Sequence, residues 1–279
     1  MRVERFGDQY EATATLCDLS ASELRKRDEE QAQPLQRWIA WDGDAVTGAV
    51  STWLRPDDRM FVFFAGTAGA IGPLTAAAST ELGRSLHATV DDSARARVDA
   101  LSASGFGVEA VNDSFTVPFD VALRVFGRAP VPQGFTIVSA AEVDVDRLFT
   151  LDNTVRQEVP GCDGWRGDRE WFRSEIAERP PFDPDGYLVG IDETTGEYAG
   201  LIRIWRNPSG PRFGLVGVAR QYRNTLLAAA LLRRGLESAS TWGSATFTAE
   251  TSPDNSVVHH RMRRIGAVHT GRFLQMVCA

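Results

Sequence analysis

Residues 214–232, GLVGVARQYRNTLLAAALL, carry the spacing in this chain best suited to chemistry. A strand led by Leu215, Val216 and Val218 is expected to run without a gap into a helix with Leu227, Ala230 and Leu231 on its apolar face. Arg223 falls at the joint. A strand that stops at a fresh helix N-terminus leaves several backbone N–H groups aimed at one spot. Those donors, the positive end of the helix dipole and one arginine together suit a pyrophosphate.

Size and composition bound what such a site could serve. The chain has 279 residues, 43% of them hydrophobic and 24% charged, which is the make-up of a soluble globular protein of one large or two ordinary domains. Its formal charge of −7, without a basic patch interleaved with aromatics, argues against a nucleic-acid partner. No apolar run is long enough for a membrane span and the N-terminus lacks a signal-peptide core, so a cytoplasmic location is expected. Cys17, Cys162 and Cys278 fit neither a metal-ligand spacing nor a disulfide framework, and no metal is expected. Arginine supplies all but one of the basic residues, Lys26 being the exception, which reads as compositional bias. The acidic balance mildly favours a cationic small substrate.

The elements that must position the joint occur twice. RAPVPQG, residues 128–134, reads as a linker and divides the chain into domains of 1–130 and 131–279. The first half offers helical text over 8–30, a hairpin turning at Asp42–Asp44, a strand RMFVFFAG and a helix from Ile71 to Leu82. A strand LHATV, a helix ending at Gly105 and closing strands around VEAVNDSFTVPF follow. The second half offers a strand FTIVSA, a helix from Asp144 to Arg156 and another from Asp168, an N-cap, to Ala177. A hairpin turning at Glu193–Gly196, the joint, a strand ATFTAE, a helix NSVVHHRMRRIG ending at Gly266 and a last strand complete it. The shared order predicts an internal duplication.

Strand, arginine joint, helix, strand and an Asn-led helix ending at Gly resemble the GCN5-related N-acetyltransferase (GNAT) superfamily from Phe135 to Val277. The family's joint motif maps onto Arg223, Asn224, Thr225, Leu226, Leu227 and Ala228, with Leu226 where a glycine is usual. Asn255 and Gly266 keep the spacing between the family's asparagine and its helix end, with Ala267 replacing the usual phenylalanine. The first half is similar to a decayed copy, since GTAGAIGPL keeps Gly66, Gly69 and Gly72 without an arginine. The resemblance implies a mixed α/β fold of two tandem GNAT-like domains, each a splayed mixed sheet flanked by helices. The cofactor site would lie in the second.

What the resemblance implies for function is acetyl transfer from acetyl-CoA to a small amine-bearing acceptor by direct attack on the thioester. Residues 223–228 would grip the pyrophosphate, Val216, Gly217 and Val218 would pair with pantetheine amides, and Asn255 would lie near the pantetheine. The Val218 N–H would face the thioester carbonyl. Glu250, at the end of ATFTAE, is the first choice of base, set against a rim carboxylate paired with an arginine. The family's proton-donating tyrosine corresponds to Met262, leaving water as the acid, and Tyr222 reads as a packing residue.

The segment 151–172, LDNTVRQEVPGCDGWRGDREWF, would wall the acceptor pocket, with Asp152, Arg156, Glu158 and Trp165 as substrate contacts. Carboxylates and indoles there suit an ammonium, and a loop packed by Trp165 against its own domain is the alternative. His259 and His260 read as surface or groove-lining residues, Asn255 also as an N-cap, and Phe61, Phe63 and Phe64 as buried strand or an interdomain seam. Two other functions stay open: a non-catalytic acyl-CoA sensor or scaffold, and acyl transfer to a protein or peptide amine. Self-association as a homodimer also stays open.

Overall fold

The computed structural model describes residues 1–29, 36–159, 162, 165–178 and 183–279. The chain forms two compact units, one of Met1–Val111 with Arg272–Ala279, the other of Asn112–Gly271. The linker of residues 128–134 thus lies inside the second unit. Each unit completes its sheet with a strand from the other half of the chain.

The first unit comprises β1 (Arg2–Arg5), α1 (Tyr10–Leu16), α2 (Ala21–Glu29), β2 (Arg37–Asp42), β3 (Ala45–Leu54), β4 (Met60–Gly66), α3 (Ile71–Leu82), β5 (Leu86–Asp91), α4 (Arg95–Ala103) and the start of β6 (Gly107–Pro118). Its sheet runs β1-β2-β3-β4-β5 and ends on residues 273–278, antiparallel to β5. β4 and β5 are parallel and register only at Met60–Leu86 and Phe61–His87, so they part beyond that point. Leu74 and Ala78 of α3 pack on Val50, Val62 and Ala88 to form the core. Phe61 is buried but Phe63 is 53% exposed, which corrects the expectation of a uniformly buried strand or seam.

The second unit comprises α5 (Phe119–Phe126), β7 (Phe135–Ser139), α6 (Val145–Arg156), α7 (Arg169–Glu178), β8 (Tyr187–Asp192), β9 (Tyr198–Asn207), β10 (Gly210–Val218), α8 (Leu227–Ser240), β11 (Thr246–Thr251), α9 (Ser256–Arg264) and the start of β12 (Val268–Cys278). Its sheet runs from residues 113–118 of β6 through β11-β10-β9-β8-β7. The helix starts follow from capping. Asp144 accepts from the N–H groups of Asp146 and Arg147, and Asp168 from that of Trp171. Gly105 and Gly266 adopt the left-handed conformation at the ends of α4 and α9, as a glycine stop requires.

Alternation along the strands sorts the second unit's side chains onto two faces. Leu188, Ile202, Phe247, Ala249 and Phe115 face α8, whose Leu227, Leu231 and Leu236 close that core. Tyr187, Val189, Leu201 and Leu215 face the other way, under Leu148, Leu151 and Val155 of α6 and Phe172 of α7. The fold is mixed α/β, with a splayed mixed sheet flanked by helices.

Candidate functional site

The site begins where β10 and β11 part. These parallel strands register at one pair, Arg212–Thr248, while β10 stays paired with β9 as far as Val218. A bulge at Gly214 shifts the β9–β10 register between Phe213 and Leu215, at the point of separation. A Cβ on Gly214 would lie 2.8 Å from the Trp205 Nε1 and 3.1 Å from the Arg203 carbonyl, so the bulge admits only glycine without displacing the indole. Beyond it, Val216, Gly217 and Val218 present an edge not paired to β11. Val155 of α6 sits directly on Gly217, where a Cβ would run into its Cγ1.

The joint differs from its sequence expectation in one respect. β10 does not run directly into the helix: residues 219–226 intervene, including a 3₁₀ turn over Arg220–Tyr222, and α8 starts at Leu227. Asn224 (φ +75°) and Leu226 (φ +64°) both take the left-handed conformation. For leucine this is unusual, at a cost of roughly 1 kcal/mol or more. The turn therefore keeps the backbone of a glycine loop without the glycine. Among the described residues the N–H groups of Asn224, Leu226 and Ala228 have no acceptor within the protein, which leaves three donors at the N-terminus of α8. The Leu227 N–H lies 3.4 Å from Thr225 Oγ1, and its side chain is wholly buried in the core. Leu227 thus supports the turn from beneath rather than lining it.

Arg223 is exposed and paired with Glu158 from the end of α6. Two residues read separately in sequence, one for pyrophosphate and one for acceptor, are therefore partners. Asp152 is 3% exposed, bound to Arg156 and accepting from the Tyr187 hydroxyl at 3.0 Å. Burial disfavours charge on Arg156, yet the Asp152 carboxylate beside it holds its pKa above the ordinary value. Burial first, and then the Asp152 charge, push the Tyr187 phenol well above its usual range, so it stays a donor. Arg156 also lies 5.2 Å from the Trp165 ring centroid, and the Trp165 carbonyl accepts from Gln157. Asp152, Arg156 and Trp165 thus knit α6 to its own loop. Pro160, Gly161 and Asp163 of that segment lie outside the described residues.

Glu250 lies on the sheet face turned toward α6 and α7, on the diverging half of β11, and pairs with Arg212 at 3.1 Å across the fork. Arg212 went unnoticed in the sequence reading. Only its isolated place in the run PRFGLVG could have hinted at it, since the pairing joins residues 38 apart in the chain. Asn255 caps α9 by accepting from the Val258 N–H. His259, one turn along α9, packs edge-on against Phe115 and lies 3.6 Å from Asp113, on the sheet face opposite Glu250. His260 is exposed, and Tyr222 is buried against Phe135 as a packing residue. No group of His, Cys, Asp and Glu among the described residues could hold a metal ion, and no described helix is long and apolar enough to cross a membrane.

With this geometry in place, comparison with known proteins relates it to a family. Residues 151–267 match the acetyltransferase (GNAT) family model. No curated protein sequence matches the chain. Among solved structures, it is similar to a GCN5-related N-acetyltransferase from Sphaerobacter thermophilus (TM-score 0.69, 14% identity, 99% of this chain and 94% of that one). It is similar also to a tandem GNAT protein of the clavulanic acid biosynthesis pathway (TM-score 0.70, 14% identity, 99% and 98%). A GCN5-related N-acetyltransferase from Kribbella flavida aligns at TM-score 0.56 and 13% identity over 99% of this chain and 71% of that one. At such identities the likeness is one of fold, and it runs the length of the chain. Residues 151–267 thus match a GNAT acetyltransferase domain, and the fold along the whole chain is similar to that of GNAT proteins.

Proposed function

We propose that the chain is an acetyl-CoA-dependent N-acetyltransferase acting on a small amine, with the second unit catalytic. One observation carries this reading: an unpaired edge of β10 leads from the fork to a turn with three N–H groups lacking acceptors. Pantetheine amides suit the edge at Val216–Val218, and a diphosphate suits the donors of Asn224, Leu226 and Ala228 at a helix N-terminus. Arg223 supplies charge there once Glu158 gives way. When bound, acetyl-CoA supplies an acyl thioester.

The chain's own residues then have separate tasks. Strand edge and turn hold the pantetheine, and a β10 N–H, that of Val218 by expectation, polarises the thioester carbonyl. Such a donor is worth roughly 3 kcal/mol in acyl transfer. Glu250 takes one proton from the acceptor's ammonium. The neutral nitrogen attacks the carbonyl carbon, the C–N bond forms as the C–S bond breaks, and the second nitrogen proton reaches the thiolate through water. Met262, half-buried against the core, has no proton to give. Released thiol measured against pH tests Glu250: Glu250→Gln is expected to lose the acidic limb of the kcat/KM profile, and an unchanged limb removes it as the base.

The ion pair between Arg223 and Glu158 favours a second reading, a sensor that binds acyl-CoA without turning it over. Saturable binding of acetyl-CoA with no thiol released across amines, aminosugars and peptides would support the sensor. Release with peptides alone would point to a protein substrate.

A further inference from the structure

In the segment expected to receive an ammonium, Asp152 is already engaged by Arg156 and Glu158 by Arg223. Charge at the fork comes from the sheet instead. Arg212 registers with Thr248 on one side and Trp205 on the other, and Glu250 registers with Ser114 of β6. In-register neighbours share a face, so Trp205, Arg212, Thr248, Glu250 and Ser114 all project to the side of α6 and α7. The Arg212 and Glu250 side chains are 43% and 37% exposed, so both ends of the pair can be reached from solvent. They straddle the fork where β10 and β11 stop registering.

We propose that the acceptor is a zwitterion, a small molecule with an ammonium and a carboxylate a few bonds apart, such as an amino acid, docked head to tail on Glu250 and Arg212. The chemistry of this proposal rests on the acetyltransferase reading; the binding does not. An acceptor with only a cation meets the Arg212 charge within 3.1 Å of the carboxylate it needs. A carboxylate on the same molecule turns that repulsion into an attraction, which is how one site discriminates between the two. A guanidinium has a planar fork of donors that suits such a carboxylate. By drawing Arg212 away, the acceptor also leaves Glu250 free for the ammonium proton. The Trp205 ring beside the bulge carries the Arg203 guanidinium on one face, 3.7 Å from its centroid, and its remaining surface offers an apolar wall for connecting methylenes; the hydroxyls of Ser114 and Thr248 flank the other side.

The test uses the full chain with glycine, β-alanine and γ-aminobutyrate set against alkylamines of matched length and glucosamine. Thiol release and calorimetric binding are both recorded. Amino acids are expected to exceed the matched alkylamines at least tenfold in kcat/KM, and Arg212→Gln to bring that ratio to within about twofold. Turnover of alkylamines or glucosamine as fast as that of amino acids overturns the zwitterion while leaving the acetyltransferase standing. Amino-acid binding that depends on Arg212, with no thiol released from any acceptor, upholds the zwitterion site and overturns the acetyltransferase. Absence of both binding and release overturns both.

Discussion

Each unit has a parallel strand pair that parts, followed by a helix, yet the two joints are built differently. In the first, α3 begins directly after a short 3₁₀ turn over Ala68–Ala70. The Thr67 N–H goes to the Thr47 carbonyl, and that of Ala70 to the Thr67 carbonyl. Arg97 of α4 donates to the carbonyls of Phe64 and Gly66 at 3.2 and 3.3 Å, on the strand that has parted from β5. In the second, residues 219–226 make room for a left-handed turn with unused donors. The glycine-rich joint GTAGAIG is thus the short one, and the joint with leucine in the glycine position is the long one. Gly66 is needed because a Cβ would run into the Thr47 carbonyl, and Gly72 meets Ser104 of the next helix. Gly66 and Gly72 there serve close packing; a longer loop with two left-handed residues is what sets the second joint apart.

Three substitutions break or sharpen that contrast. Gly217→Ala forces a Cβ into Val155 and is expected to cost about 1–3 kcal/mol in urea unfolding, as overpacking does. Gly69→Ala in the first joint meets nothing within 4 Å, and its unfolding midpoint should barely move. Leu226→Gly relieves the left-handed leucine and clears a side chain 66% exposed at the donor turn. About 1 kcal/mol of added stability and severalfold tighter coenzyme A binding are expected, and weaker binding would show that the leucine itself contacts the ligand.

An effect confined to alkaline pH concerns the Asp152–Tyr187 network. With its folded pKa raised well above 10, Tyr187 keeps its proton where the unfolded chain loses it. Its contribution is therefore fully present below about pH 10 and falls above it by roughly 1.4 kcal/mol per pH unit until the folded phenol ionises. Tyr187→Phe should flatten that alkaline decline in denaturant titrations; an identical slope would show that other groups cause it.

Local rules made much of the fold legible. The helix Ile71–Leu82 lies where its composition and closing glycine place it, and Asp144 and Asp168 cap the helices they precede. Phe119–Phe126, which follows β6 without a turn residue, was not recognised as a helix, nor was Arg2–Arg5 as a strand. VARQYRN has neither glycine nor proline to break the strand-to-helix reading, so the intervening 3₁₀ turn was invisible. Long-range pairings were hidden for a different reason: Arg223 meets Glu158 across 65 residues and Arg212 meets Glu250 across 38. The same limit concealed the partners of the closing strands, since residues 113–118 and 273–278 complete sheets belonging to the opposite halves of the chain. Nothing periodic within either half signals that.

The most direct test is calorimetric titration of the full chain with coenzyme A, alone and as Arg223→Glu. One site per chain is predicted, weakened at least tenfold by the substitution. Two sites, or an affinity indifferent to Arg223, would contradict the assignment of diphosphate binding to the turn between β10 and α8.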